Sequence, residues 1–247
     1  SNNTAVGRDA LAANTTGAGN VAVGKNALIA NTTASGNTSI GHNALKTNTT
    51  GAANVSSGEN SMYANTTGAN NIAIGHSSLE SNTTASNNTA VGKSALSANT
   101  TGTSNTAVGT SSLNSTTTGI ENTALGYLTL GNNTTASGNT GLGKYALGGN
   151  STGASNTAVG WHSLAGNTTG TDNTATGYGA LGASTTASHN TAVGRVAMRA
   201  TTTGSYNSAF GKEALDANTS ASNNTATGYR ALYSNTTGGE NTAVGTN

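Results

Sequence analysis

The chain has 247 residues, a net charge of +1, 7% charged side chains, and neither cysteine nor proline. This composition excludes a disulfide framework and a thiolate metal site, and no apolar run approaches the ~18 residues of a membrane span. Leu, Ile, Val and Phe total only 31 residues, so a folded core requires that these few side chains recur at regular places along the chain.

A repeat of 17 residues runs from Thr4 without insertion or deletion, with the consensus T-A-V-G-x-x-A-L-x-x-N-T-T-G-x-x-N. It gives 14 full units over residues 4–241, and we interpret 1–247 as a single repeat array and a fragment of a longer fibre. Repeat positions are numbered 1 to 17 from Thr4. All charged residues fall at positions 5, 6, 9, 10, 15 and 16, so these positions are predicted to face water and the others to pack.

Each unit predicts the same short elements in the same order. Positions 1 to 4, which are Thr4–Gly7 in the first repeat, predict a short strand that ends at an invariant glycine. This glycine indicates either a backbone with positive φ or a close approach of chains. Positions 11 to 14, first met as Asn14–Gly17, predict a turn in which Asn and Gly adopt left-handed conformations. The predicted fold class is therefore all-β: a β-solenoid, or β-roll, of 17-residue coils. Helix propensity in Asp9–Ala13 keeps a solenoid of strands and short helices open, and a disordered repeat is the other alternative.

Stacked coils would place equivalent side chains directly above one another. The valines of position 3 and the leucines of position 8 are expected to form two packed apolar ladders. The asparagines of position 17 are expected to form an amide ladder. The predicted structural ladders are represented by Asn20, Asn37, Asn54, Asn71 and Asn88, by Gly7, Gly24 and Gly41, and by Leu11, Leu28 and Leu45.

Position 11 carries the Asn-x-Thr/Ser pattern of N-glycosylation acceptors in eleven units. The candidate acceptors are Asn14, Asn31, Asn48, Asn65, Asn82, Asn99, Asn133, Asn150, Asn167, Asn218 and Asn235. The alternative is that Asn-Thr-Thr-Gly is only the turn that the coil needs. Paired threonines at positions 12 and 13 also suggest a flat face that could order water and bind ice.

Four aromatic residues share position 5, where stacked coils would align them along one edge. They are the candidate contacts with a sugar or a protein partner: Tyr127, Trp161, Tyr178 and Tyr229. The alternative is a set of scattered exposed aromatics. Basic residues at position 5 alternate with neutral and acidic ones, so no nucleic-acid-binding stripe is predicted.

The run Asn3–Gly7, which recurs at residues 190–194, resembles the head repeats of trimeric autotransporter adhesins and repeats of phage tail-fibre-like proteins. The resemblance implies a left-handed β-roll with three chains side by side, and an extracellular location on a cell surface or a virion fibre. The present unit is longer than the adhesin repeat by an added Asn-Thr-Thr-Gly turn.

These features predict a structural protein and not an enzyme: an extracellular fibre or filament segment that acts as a stalk or spacer and also adheres. The alternative function is a binding module that displays a carbohydrate- or ice-binding face. The expected partners are copies of the chain, a homotrimer by resemblance, together with glycans or a host surface. No cofactor, no metal, no nucleic acid and no membrane insertion of this segment are expected.

Overall fold

The structure, a computed structural model, describes residues 2–246 and confirms the predicted β-solenoid. The described residues contain fifteen three-residue strands and no helix, so the alternative of strands with short helices is wrong. The chain divides into two compact structural units between Glu121 and Asn122. We call them the first unit and the second unit and describe each by itself.

The strands recur at the predicted period in both units. The first unit contains β1 (Thr4–Val6), β2 (Val21–Val23), β3 (Thr38–Ile40), β4 (Val55–Ser57), β5 (Ile72–Ile74), β6 (Thr89–Val91) and β7 (Thr106–Val108). The second contains β8 (Thr123–Leu125), β9 (Thr140–Leu142), β10 (Thr157–Val159), β11 (Thr174–Thr176), β12 (Thr191–Val193), β13 (Ser208–Phe210), β14 (Thr225–Thr227) and β15 (Thr242–Val244). Within each unit every strand pairs in parallel with the next, and each residue faces its counterpart one repeat later, as Thr4 faces Val21. One repeat therefore makes one coil.

The apolar core is narrow and consists of the residues at positions 2, 7 and 8. Ala22, Ala27 and Leu28 are fully buried in one coil, and the same positions are buried in most of the others. Successive strand residues point to opposite sides, so a buried position 2 places positions 1 and 3 outside. The expectation that position 3 packs inside is wrong: Ile40 is 44% exposed and Phe210 is 44% exposed.

Two asparagine ladders fill the polar part of the interior. The backbone N–H of Asn37 donates to Oδ1 of Asn20 at 2.9 Å, and Nδ2 of Asn37 donates to the carbonyl of Gly51 at 3.0 Å. Nδ2 of Asn48 donates to the same carbonyl at 2.9 Å and to Oδ1 of Asn31 at 3.1 Å. Positions 11 and 17 thus converge on the carbonyl of position 14, and this satisfies amides that would be costly to bury alone.

Hydrogen bonding between coils continues outside the strands. The N–H of Leu28 donates to the carbonyl of Ala44 in the next coil at 3.1 Å, and the N–H of Thr49 donates to the carbonyl of Thr66 at 2.9 Å. Most of the backbone therefore needs its N–H groups, which accounts for the absence of proline from the sequence.

The residues with a left-handed backbone conformation do not lie in the predicted turn. The glycine of position 4 has the expected positive φ, as at Gly58 with φ 142°. The Asn-Thr-Thr-Gly turn has none, and positions 6, 8 and 16 are left-handed instead, including the buried Leu28 with φ 53° and Leu45 with φ 50°. Leucine enters this region at a cost of about 1–2 kcal/mol, which its complete burial offsets.

Candidate binding groove and outer strand face

A groove of about 490 Å³ runs along one corner of the second unit. It lies where positions 5, 6 and 9 of five successive coils come together. Its lining residues are Trp161, His162, Ala165, Tyr178, Gly179, Gly182, Arg195, Val196, Arg199, Glu213, Asp216, Arg230 and Tyr233.

Two neighbouring aromatic side chains form one wall of the groove. Trp161 and Tyr178 occupy position 5 of adjacent coils, and their ring centroids lie 4.9 Å apart at an interplanar angle of 62°. His162 packs edge-on against Trp161 at 4.8 Å and stacks on Tyr145 at 5.0 Å. Trp161 remains 45% exposed and Tyr178 43% exposed, so both present free ring surface to a ligand.

The floor of the groove is a notch in the coil of residues 174–190. This coil has glycine at both position 6 (Gly179) and position 9 (Gly182). A Cβ built on Gly182 would meet nothing nearer than the carbonyl oxygen of Gly179 at 3.1 Å. Gly148 in an earlier coil is different, because the ring of Tyr145 would lie 2.6 Å from its Cβ. A Cβ built on Gly179 would lie 3.4 Å from Cγ1 of Val196. The notch is therefore a depression that two missing side chains leave beside Val196.

The far side of the groove carries three arginines and two acids. Nη2 of Arg199 donates to Oδ2 of Asp216 at 3.0 Å, and Nε of Arg230 donates to Oε2 of Glu213 at 2.6 Å. The guanidinium of Arg195 lies 5.4 Å from the ring centroid of Tyr178. Among residues 2–246, Arg195 has no ion-pair partner. It is thus the guanidinium of the groove whose charge is left uncompensated.

Asp216 is a buried acid whose hydrogen bonding is incomplete. The residue is 4% exposed, and its Oδ1 has no hydrogen-bond partner although Oδ2 is held by Arg199. Burial raises the pKa of this carboxyl, and the charge of Arg199 partly opposes the rise. Glu213 behaves in the opposite way, because its hydrogen bond from Arg230 lowers its pKa.

The structure brings together two of the four aromatics that the sequence singled out. Tyr127 lies apart from the groove, with Nζ of Lys144 placed 5.8 Å from its ring centroid and 6.0 Å from that of Trp161. Tyr229 is 42% exposed and lies beside Lys212, 5.4 Å from the Nζ atom. Sequence reasoning missed the contribution of positions 6 and 9. In an alignment of the repeats of the second unit, position 9 changes from Gly or Ala in the first four repeats to Arg199, Asp216 and Tyr233 in the next three.

The candidate glycosylation acceptors lie inside the coil. Nine of the eleven are fully buried, and only Asn14 and Asn235 are partly accessible. The atom that would carry a glycan, Nδ2, donates hydrogen bonds inward, as Asn65 does to the Gly68 carbonyl at 3.0 Å. A glycan would break these bonds, so the folded structure favours the turn interpretation of this pattern.

The threonine pairs are also partly committed to the coil. Oγ1 of Thr49 at position 12 donates to the carbonyl of Thr66 in the next coil at 3.1 Å, and equivalent bonds recur along both units. The neighbouring residues of position 13 are exposed in every coil, as at Thr50 and Thr67, whereas position 12 is exposed only in some coils, as at Thr168 and Thr219. One ladder is therefore left to interact with water.

The strands present an apolar surface that we name the outer strand face, defined as the side chains of positions 1 and 3. In the first unit it includes Val6, Ile40, Val55, Ile72 and Ile74, and in the second it includes Leu125, Leu142, Phe210 and Val244; all are exposed. No charged residue occurs at either position in any repeat. Position 1 is Thr or Ser in twelve of the fifteen strands, and position 3 is Val, Ile or Leu in eleven. Each unit therefore displays an uncharged face in which a mostly aliphatic row at position 3 lies beside a mostly hydroxyl-bearing row at position 1.

The residues that the structure describes contain no apolar helix long enough to span a membrane. Across residues 2–246 there is also no cluster of three or more His, Asp or Glu side chains that could hold a metal ion.

No protein-family model matches the chain, and a search of curated proteins gives no significant match.

Proposed function

We propose that the chain is a structural segment of an extracellular fibre, which serves as a stalk or spacer and associates with copies of itself through the outer strand face. The observation that supports this proposal is the exposure of aliphatic side chains at position 3 of several coils in each unit, as at Ile40, Ile74 and Leu125. Soluble monomers rarely expose a continuous apolar surface, and such surfaces usually mark contacts with another chain.

The chemistry of the outer strand face suits a second copy of the same chain. The face has no charged residue, so two copies can meet without burying an unpaired charge. Its side chains repeat at the coil spacing, so aliphatic ridges of one copy can pack between those of another. The motif resemblance adds the expectation of three chains, an extracellular location and an adhesive role.

The repeat supplies substitutions that test self-association without disturbing the coil. Position 3 is naturally Ser at Ser57 and Thr at Thr176, so Ile40→Ser combined with Ile74→Thr places polar residues that the coil accepts. Sedimentation equilibrium is expected to show a trimer for the unchanged chain and monomers for this variant. The circular dichroism spectrum should stay the same.

A matched control changes position 15, which lies outside the outer strand face. Ala52→Ser combined with Ala69→Thr introduces residues found at the same position in Ser35 and Thr103. The control is expected to remain trimeric. A monomeric unchanged chain, or a position-3 variant that assembles as well as the control, would contradict the proposal.

A further inference from the structure

We propose that the groove of the second unit is a binding site for an acidic saccharide, in which a sugar ring stacks on Trp161 and its carboxylate pairs with Arg195. This site is separate from the proposed association surface, because it uses positions 5, 6 and 9 and not positions 1 and 3. The two proposals can therefore fail independently.

The aromatic wall and the notch favour a flat, ring-shaped ligand. Trp161 and Tyr178 are about half exposed and meet at 62°, which leaves an angled apolar surface above Gly179 and Gly182. The weakly polarised C–H face of a sugar ring packs well on such aromatic faces. The missing side chains of the glycine coil provide the depth that a ring needs to enter.

The polar groups of the groove favour hydroxyls and one negative charge. Oδ1 of Asp216 is buried and lacks a donor, and a buried acceptor without a partner is costly. A ligand hydroxyl that displaces the side chains covering this oxygen can supply that donor. Cζ of Arg195 lies over the Tyr178 ring, 5.4 Å from its centroid, and Arg195 is free of ion pairs within residues 2–246. A planar guanidinium matches a carboxylate in two parallel hydrogen bonds.

The alternative ligand is an acidic peptide, which would also satisfy Arg195. We favour the saccharide because the groove offers an aromatic platform with a hydroxyl acceptor beside it. A peptide carboxylate would leave Oδ1 of Asp216 without a donor unless a main-chain N–H also reached it.

Trp161 is the only tryptophan of the chain, so intrinsic fluorescence reports directly on the groove. We would titrate the full chain with galacturonic acid oligosaccharides, with neutral galactose oligosaccharides of the same length, and with a glutamate-rich peptide. We expect a saturable fluorescence change with the acidic saccharide. Its dissociation constant should be at least about tenfold lower than that of either other probe, because it alone forms the charge-assisted pair as well as the sugar contacts.

Three variants locate the binding, and the repeat itself shows that each is compatible with the coil. Arg195→Thr copies Thr110 at the same position, and Gly182→Tyr copies Tyr63 and fills the notch. Each should weaken acidic saccharide binding by about tenfold or more. Lys93→Thr removes a charge from the same repeat position in the first unit and should leave binding unchanged.

The proposal is overturned if the acidic saccharide gives no saturable signal, or if the neutral saccharide or the peptide binds equally well. It is also overturned if Arg195→Thr and Lys93→Thr bind alike while circular dichroism shows both to be folded. Because the self-association assay uses a different surface, a negative result here leaves the fibre proposal standing.

Discussion

Replacing Ser184 with asparagine should stabilise the second unit, because the asparagine ladder of position 11 is interrupted there. Nδ2 of Asn167 reaches back to Oδ1 of Asn150 at 2.7 Å, but Oδ1 of Asn167 has no donor in the following coil. That coil has Ser184 in place of asparagine, and its Oγ is also buried without a partner.

The size of the effect follows from the groups that gain partners. In Ser184→Asn, the new amide would donate to Oδ1 of Asn167 and to the carbonyl of Ala187, as Asn31 does to Asn14 and to Ala34. A buried acceptor that gains a donor contributes about 1–3 kcal/mol. Ordering a longer side chain costs roughly 1 kcal/mol. The net gain is therefore up to about 2 kcal/mol, or up to about 8 °C in melting temperature for a chain of this size.

Hydrogen exchange is the most direct assay, because repeat arrays open locally. The backbone N–H groups of Asn167 and Ser184 donate to the carbonyls of Leu164 and Leu181. Ser184→Asn should slow hydrogen exchange at the backbone amides of residues 167 and 184. The converse variant Asn150→Ser removes an intact ladder member and should speed exchange. If Ser184→Asn lowers the melting temperature, or Asn150→Ser leaves it unchanged, the amide ladder does not stabilise the coil as argued.

Three further predictions concern the backbone, the buried acid and the glycosylation pattern. Gly58→Ala should destabilise the first unit by about 1–3 kcal/mol in chemical denaturation, because its Cβ would lie 2.5 Å from the next glycine carbonyl. Gly36→Ala has no atom nearer than 4.0 Å, so it should carry only the backbone cost of its φ of 72°, about 1 kcal/mol, which the natural Ala53 with φ 56° also meets at this repeat position. Burial raises the pKa of Asp216, so this residue's contribution to stability is lost as the pH rises through its folded pKa. Asp216→Asn should remove that pH dependence from melting curves, and an unchanged pH profile would show that the burial has no energetic effect. Expressed in a glycosylating host, the folded chain should carry no N-glycan at Asn48, and mass spectrometry showing full occupancy would contradict the observed burial of its amide.

The candidate site was only partly accessible to sequence reasoning. The position-5 aromatics were identified because the repeat aligns them, and Trp161 and Tyr178 do meet in adjacent coils. The groove also needs a notch at Gly179 and Gly182 and the buried carboxyl of Asp216. These residues lie at positions that vary between units, so the pattern alone gives no reason to group them with the aromatics.

The sequence by itself determined the coil and its register. An uninterrupted period, an invariant glycine at position 4 and an invariant asparagine at position 17 allow one in-register stack, and each strand residue does face its counterpart one repeat later. Gly58 shows why the glycine is invariant, since its backbone and the close approach of the next coil both exclude a side chain.

Only the tertiary structure decided which side of each strand faces inward. Alternation allows either position 2 or positions 1 and 3 to be buried, and hydrophobicity alone favours the valine of position 3. The interior has little room at position 2, since even a Cβ built on Gly141 would lie 2.6 Å from Cγ2 of Thr129 and 3.6 Å from Cδ1 of Leu130. Alanine fits at this position, as Ala22 does at 0% exposure, whereas Ile40 points outward. Steric room within the coil therefore prevailed over side-chain hydrophobicity and left the aliphatic residues on the surface.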